Sequence, residues 1–327
     1  MAPEHKRRTF TLTVLTLLAA VAALGWLVTR GQERPRAAGA GEALPPVGEL
    51  PFDPPERLKF EFGWNGIRAA TLTTEVTREG APREGTLLFR YTAQTTPLLE
   101  RVWEFRAEGH TVLEAATLRP LSARLETEEG EESKTVETRF DWGRRRATVQ
   151  VVEFEDGQVE RETVQREAAP DFPAALLLLR SVPIPPGGLS LRVLSEDDLY
   201  RVEVKPGAPE TLQVAAGSFR ARSYDVIVQK QEEDDEERTS RRLRAWLGGP
   251  GRMPVRMESR IVLGTVYVEL LERADLPVGA YGDESERLAE PFVDLPFLIG
   301  GETGALPQGE QLLPQSGHAL PQAAEEG

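Results

Sequence analysis

The stretch Arg241–Leu271 constrains the fold of this chain more than any other part of it. Its apolar side chains alternate with polar ones in three consecutive runs, which are Leu243, Ala245 and Leu247, then Val255, Met257, Ile261 and Leu263, then Val266, Val268 and Leu270. A period of two is typical of strands that bury one face. Glycines at 248–251 and at Gly264 separate the runs and favour turns. We therefore predict a three-stranded antiparallel meander with one face in water.

The same alternation begins near residue 58 and continues through most of the chain. Leu58, Phe60, Phe62 and Trp64 share one face, and Asn65-Gly66 follows them. Asn-Gly is the strongest short hairpin signal, so the segment Leu58–Trp64 should pair with Ile67–Val76. Further strand-like segments are Leu87–Ala93, Trp103–Phe105, Val112–Leu118, Leu121–Glu126, Val136–Phe140, Ala147–Val151, Val159–Val164, Leu189–Leu194, Tyr200–Val204, Thr211–Val214 and Phe219–Gln229. Turns are expected at Glu108-Gly109 and at Asp141-Trp142-Gly143.

One segment has the pattern of a helix instead. Asp171 is a suitable N-cap, Pro173 falls in the first turn, and Ala174–Arg180 is apolar nearly all round. Pro183–Gly188 ends the segment. The expected fold is therefore mainly β: a curved antiparallel meander, forming a half-barrel or partly open barrel, with one packed helix over Asp171–Arg180.

The N-terminus carries the clearest signal for location. The basic segment His5–Arg8 precedes an uncharged apolar run, Thr9–Thr29, which is long enough to span a bilayer. Basic residues stay on the cytoplasmic side, so we predict an N-terminal single transmembrane helix in a bacterial inner membrane, with the bulk of the chain periplasmic or otherwise extracytoplasmic. Alternatives are a signal cleaved near Ala20-Val21-Ala22, a twin-arginine signal at Arg7-Arg8, and a buried soluble helix.

These patterns divide the chain into four parts. Residues 1–30 form a cytoplasmic stub and signal anchor, and residues 31–55 a flexible tether rich in Pro, Gly and Ala. Residues 56–274 form the β domain, and residues 275–327 a mostly disordered tail rich in Pro, Gly and Glu. An apolar island, Leu295–Ile299, interrupts this tail, and its role is left open.

Four motifs in the chain resemble a bacterial envelope family known as domain of unknown function 3108. They occur in the family's order and are Glu56–Phe60 with Trp64–Ile67, Asp171 with Leu176–Arg180 and Pro183–Gly187, Ala215–Phe219, and Trp246-Leu247 with Arg252–Arg256 and Gly264. The resemblance covers about residues 52–273. It implies a fold and a location in the envelope, and it implies no reaction.

Composition excludes several classes of site. The formal net charge of −14 argues against nucleic acid as a partner, and the absence of cysteine excludes disulfides, thiol catalysis and thiolate metal sites. A catalytic triad or a zinc site in the β domain would have to use His110, and no nucleophile elbow or phosphate-binding loop is present. We expect no cofactor, no metal and no enzymatic activity. The acidic run Glu232–Glu237 is interpreted as a solvated hairpin tip.

An aromatic inner face is the best candidate for a binding site. Its members are Phe60, Trp64, Phe89, Tyr91, Trp103, Phe105 and Tyr224. These rings either pack as an ordinary core or line a pocket for an apolar molecule such as a lipid or acyl chain. The functional alternatives are a non-enzymatic envelope protein that binds such a ligand, a structural or assembly module that recruits another envelope protein, and, third, a hydrolase.

Overall fold

A computed structural model describes residues 47, 50–81, 84–101, 103–231, 240–261 and 264–275. Within these residues, fourteen strands and one α-helix, α1 (Phe172–Ser181), make up the regular structure, with a short 3₁₀ turn at Pro250–Arg252. The strands are β1 (Glu56–Trp64), β2 (Ile67–Glu79), β3 (Thr86–Thr95), β4 (Phe105–Glu114), β5 (Pro120–Glu129), β6 (Glu132–Asp141), β7 (Arg146–Glu155), β8 (Gln158–Glu167), β9 (Leu189–Ser195), β10 (Asp198–Val214), β11 (Gly217–Lys230), β12 (Ser240–Gly248), β13 (Met253–Ile261) and β14 (Gly264–Asp275).

All fourteen strands belong to one antiparallel sheet. Its spatial order is β8-β7-β6-β5-β4-β3-β2-β1-β14-β13-β12-β11-β10-β9. The chain thus makes two meanders, β1–β8 and β9–β14, and the ladder between β1 and β14 joins them. The predicted mainly β antiparallel fold with one helix is confirmed, and so is the three-stranded meander at β12–β14.

The opening hairpin forms where the sequence predicts it. β1 pairs with β2 across a two-residue turn in which Asn65 and Gly66 have φ values of 48° and 85°. Positive φ at both central positions is the geometry whose twist matches that of the flanking strands. Alternate residues of β1, including Leu58, Phe60 and Phe62, are buried, as the period of two requires.

Helix α1 lies against both meanders. Its N-cap is Asp171, whose side chain accepts a hydrogen bond from the Ala174 amide, as predicted. One side of the helix packs on inner residues of β2–β4 and the other on inner residues of β9, where Ala175 meets Leu191 and Val193. Because strands from the middle of the sheet and the edge strand β9 contact the same helix, the sheet must curve around it. The helix is therefore apolar on nearly every side.

The two edge strands meet without forming a ladder. β8 and β9 are the ends of the sheet order, so the sheet does not close into a hydrogen-bonded barrel within the described residues. Side chains join the two edges instead. Arg192 of β9 pairs with Glu167 of β8, and Arg166 of β8 donates to the Asp197 carbonyl in the β9–β10 turn.

Two local expectations were wrong. Glu108 and Gly109 are not in a turn but in the middle of β4, where Gly109 pairs with Tyr91. The Thr211–Val214 and Tyr200–Val204 segments are one long strand, β10, which continues through a register shift between Pro206 and Pro209. In both places the neighbouring strand supplies hydrogen bonds that outweigh the local preference of Gly or Pro for turns.

Several predicted segments lie outside the described residues. They are the transmembrane run Thr9–Thr29, the acidic run Glu232–Glu237 and the island Leu295–Ile299. No helix among the described residues is long and apolar enough to cross a membrane. At the end of the predicted tether, Val47, Leu50 and Phe52 pack against the core under α1, so packing begins upstream of the predicted boundary at Glu56.

Candidate ligand-binding cleft

A cleft lies between the first half of α1 and the inner face of the sheet. Its lining comes from five strands and the helix: Phe60, Leu72, Thr74, Phe89, Tyr91, Phe172, Pro173, Leu176, Pro254, Met257 and Val268. The cavity volume is about 30 Å³, and the cleft holds about 420 Å³ of atom-free space when its open mouth is included. The bottom of the cleft thus has room for one or two water-sized groups.

Strand pairing and helical periodicity explain how these residues converge. Cross-strand partners bring Phe60 beside Leu72 and Met257 beside Val268. On the helix, Phe172 and Leu176 are four residues apart and therefore lie on one face. Both are only partly buried, in contrast to Leu177 and Leu178 on the packed sides. The helix thus presents two large apolar side chains to the cleft.

Three of the seven predicted site residues line this cleft, namely Phe60, Phe89 and Tyr91. The others lie elsewhere. Trp103 and Phe105 stack on each other with ring centroids 5.5 Å apart, and Phe105 is only 1% exposed. Trp64 packs partly buried on the same core, and Tyr224 belongs to a separate cluster with Val226 and Leu247. The predicted aromatic face is therefore divided between the cleft and solid core.

The site predicted from the sequence did not include the cleft residues of α1 or of β13. Phe172, Leu176 and Met257 all line the cleft. The spacing of four residues between Phe172 and Leu176 is visible in the sequence, but the sheet face that they meet is set by the fold. Met257 was assigned to the buried face of its strand, yet nothing in the sequence brings β13 close to α1.

A buried carboxylate, that of Asp171, lies beside the cleft at the N-terminus of α1. Asp171 accepts a hydrogen bond from the Thr111 hydroxyl and another, of 3.0 Å, from the Ala174 amide. Burial raises the pKa of Asp171 to about 6, although both hydrogen bonds act in the opposite direction. Burial, together with the charges of Asp171 and Glu196, raises the pKa of the Tyr91 phenol. The carboxylate of Asp171 therefore acts on the polar atom of a cleft residue.

A glycine fixes the position of the Tyr91 ring. Tyr91 and Gly109 are directly opposite each other on β3 and β4. A Cβ atom on Gly109 would lie 2.3 Å from the ring, which is closer than any real contact. The ring therefore lies flat over the glycine. Tyr267 covers Gly63 in the same manner on β14 and β1.

The other end of α1 is tied down by charge. Arg180 donates to both carboxylate oxygens of Glu56, at 2.7 and 3.0 Å, and also to the Gly251 carbonyl. Its guanidinium lies 4.0 Å from the centre of the Phe52 ring. These contacts join the helix C-terminus to β1, to the segment before β1 and to the 3₁₀ turn before β13.

A second buried ion pair lies near the seam between the edge strands. The Lys134 ammonium on β6 is 2.6 Å from the Glu196 carboxylate in the β9–β10 turn and 2.9 Å from Glu153 on β7. Burial opposes the charge of Lys134, but the two carboxylates outweigh it and raise the Lys134 pKa. This pair ties the turn to the inner face of the first meander.

Groups with catalytic or metal-binding potential are sparse. His110 lies on β4 opposite Arg90, and burial followed by the charges of Arg90 and Arg124 lowers its pKa. Among the residues that the structure describes, no group of three or more His, Cys, Asp or Glu is arranged to hold a metal ion. The geometry therefore draws attention to the apolar cleft.

Comparison with solved structures gives distant likenesses. A β-barrel-like protein of domain of unknown function DUF1849 from Brucella abortus aligns with a TM-score of 0.42 and 11% identity, over 68% of this chain and 98% of that one. A protein with a YmcC-like fold from Bacteroides fragilis aligns with a TM-score of 0.33 and 12% identity, over 70% and 99%. No curated protein matches the chain.

Comparison with family models gives a firm assignment. The model described as protein of unknown function, DUF3108, matches residues 59–271, which is well over half of the chain and includes β2–β13 in full. The match coincides with the segment in which the four sequence motifs lie. The chain belongs to the DUF3108 family.

Proposed function

We propose that this protein is a non-enzymatic, membrane-tethered module of the bacterial cell envelope that binds one apolar molecule, such as a lipid or an acyl chain, in the cleft beside α1. The observation that carries the proposal is the composition of the cleft wall. Nine of its eleven residues are apolar, and the surface exposed in the cleft is wholly apolar, so Thr74 and Tyr91 contribute only carbon atoms to it. Ligand sites in proteins are lined predominantly by apolar and aromatic side chains of this kind.

The size of the cavity specifies how a ligand would enter. Established ligand pockets have volumes of roughly 300–1,000 Å³, far more than the cavity of about 30 Å³ at the bottom of this cleft. An acyl chain would therefore enter from the open mouth and displace side chains of α1. The N-terminal end of α1 has fewer side-chain contacts to hold it than the C-terminal end. Asp171 is joined to Thr111 of the sheet, whereas Arg180 contacts three separate segments.

The envelope location in this proposal rests on the N-terminal sequence. The basic residues before the apolar run Thr9–Thr29 favour a cytoplasmic N-terminus and an extracytoplasmic β domain. A reporter enzyme that works only outside the cytoplasm, fused after Arg273, should be active. An inactive reporter, with a cytoplasmic reporter active at the same junction, would contradict this location.

Co-purification tests the binding function directly. The full-length chain is purified gently and extracted with organic solvent, and the extract is analysed by mass spectrometry. We expect an apolar molecule in an amount close to one per protein. The matched variant is Thr74→Ile, which adds apolar volume to the cavity wall while keeping a β-branched residue on β2.

Thr74→Ile should lose the bound molecule and keep a normal melting temperature, because the larger side chain fills space that the ligand would use. Wild-type protein that carries no apolar molecule, and that takes up none from an excess of phospholipid or fatty acid, would contradict the proposal. Equal ligand content in wild-type and variant protein would show that the ligand binds elsewhere.

The β7–β8 hairpin favours a second candidate function, the recruitment of another envelope protein. Phe154 and Val159 are cross-strand partners near its tip, and they are 40% and 51% exposed. Exposed apolar pairs on an edge hairpin whose outer strand has no hydrogen-bonded neighbour among the described strands are suited to protein contacts. Replacing both residues by threonine should abolish crosslinking to a partner in cells while leaving the ligand content unchanged. Ligand loss without any change in crosslinking would contradict this second function.

A further inference from the structure

The charges around the cleft indicate which class of apolar molecule it accepts. We infer that the ligand carries an uncharged head group, as a long-chain alcohol does, and that the cleft discriminates against chains ending in a carboxylate. This inference rests on the proposed binding function and adds the chemistry of the head group.

The first step is the absence of a cation in the wall. None of the described residues that line the cleft carries a charge, and the surface that they expose in it is wholly apolar. An uncharged hydroxyl group of a ligand that entered the cleft would lose its hydration at a modest cost. A carboxylate that entered the same place would lose its hydration and find no Lys or Arg to pair with.

The second step is the sign of the local charge. The charged groups that act on the Tyr91 phenol are both carboxylates, Asp171 and Glu196. Asp171 directly precedes the helix residues Phe172 and Pro173 of the cleft wall. A second carboxylate beside it would meet like-charge repulsion in a poorly solvated space, where such repulsion is strong.

The third step concerns the helix N-terminus, which would ordinarily attract an anion. Here that end is already occupied, because Asp171 accepts the hydrogen bond of the Ala174 amide as the N-cap. The net charge of −14 also lowers the concentration of anions near the protein. Neither the helix nor the whole chain offers compensation for an anionic head group.

A pair of ligands that differ only in the head group tests the inference. The full-length chain is held in amphipol, with empty amphipol as the blank, and is loaded with the neutral fluorescent probe N-phenyl-1-naphthylamine. 1-Dodecanol and dodecanoate then compete with the probe at pH 8. We expect dodecanol to displace the probe at a concentration at least tenfold lower than dodecanoate.

Asp171→Asn is the informative variant, because asparagine also caps helices and the substitution removes the charge. The amide oxygen can still accept from the Ala174 amide, and the amide nitrogen can donate to the Thr111 hydroxyl in place of the hydrogen bond that Asp171 accepts from it. In this variant, the concentration of dodecanoate that displaces the probe should be at most about threefold that of dodecanol, compared with at least tenfold in the wild-type protein. Asp225→Asn is the matched control, since it removes the same charge from a carboxylate that is 64% exposed on β11. The control should show the same ratio of dodecanoate to dodecanol concentrations as the wild-type protein.

Each outcome has one meaning. Dodecanoate that competes as well as dodecanol in the wild-type protein overturns the head-group inference and leaves the binding function standing, whether or not the variant folds. A folded Asp171→Asn variant with the same ratio of displacing concentrations as the wild-type protein also overturns the head-group inference. A wild-type protein that binds neither the probe nor either ligand overturns the binding function and the inference together.

Discussion

Arg180 and Glu56 form a two-pronged ion pair across 124 positions of the sequence, with nitrogen–oxygen distances of 2.7 and 3.0 Å. Both side chains are almost completely buried, at 2% and 4% exposure. The pair joins the last turn of α1 to the first residue of β1. It thereby connects the element that lies between the two meanders to the strand at which the meanders join.

Breaking this pair should be costly. Arg180→Met leaves the Glu56 carboxylate buried without its partner, which should lower the free energy of unfolding by about 3–5 kcal/mol. Urea unfolding followed by tryptophan fluorescence measures the change. Arg244→Met is the control, because its pair with Asp225 is exposed and should contribute at most about 1 kcal/mol. Similar losses in the two variants would show that the buried pair has no special role.

The glycine beneath Tyr91 gives a test that separates the cleft from the rest of the sheet. Gly109→Ala should displace the Tyr91 ring, because the new Cβ would lie 2.3 Å from it, and so should weaken probe binding several-fold. Gly63→Ala creates the same clash with Tyr267, a ring that does not line the cleft. Equal effects of the two substitutions on probe affinity would argue against Tyr91 as part of the site.

The divided aromatic face predicts unequal costs of truncation. Phe105 is 1% exposed and does not line the cleft, so Phe105→Ala should lower the free energy of unfolding by about 3–5 kcal/mol. Trp64 is only partly buried, and Trp64→Ala should cost about 1–2 kcal/mol. Chemical unfolding of both variants checks the order, and a larger loss for Trp64 would reverse our description of the core.

The raised pKa of Asp171 predicts a pH dependence of stability. Its pKa is about 6 in the folded chain and about 4 when unfolded, so the folded state holds the proton more tightly. The resulting stabilisation is complete below about pH 4 and is lost as the pH rises through 6. The stability of Asp171→Asn relative to wild type should therefore improve between pH 4.5 and pH 7.5, by at most about 3 kcal/mol.

Urea unfolding of the two proteins at both pH values measures this difference. Glu196 also has a raised pKa through burial, but it is present in both proteins, so its contribution cancels. A difference between the proteins that is the same at both pH values would show that Asp171 does not titrate with a raised pKa.

Local features of this protein follow from short stretches of its sequence. The alternation in β1 and in β12–β14, the Asn65-Gly66 turn and the Asp171 cap each depend on residues within a few positions of one another. Signals of this kind act through backbone conformation and the period of burial, which any short segment expresses. They were sufficient to predict a mainly β fold with one helix and to identify three residues of the cleft wall.

Which of these elements meet depends on pairing and packing between distant segments of the chain. The β1–β14 ladder brings together segments about two hundred positions apart, and it places Met257 and Val268 in the same cleft as Phe60. Pairing with β3 on one side and β5 on the other puts Gly109 and His110 in mid-strand, against the local preference of glycine for turns. Such contacts gain their free energy from burial between distant segments, and no pattern within a short stretch of sequence records which segment will be the partner.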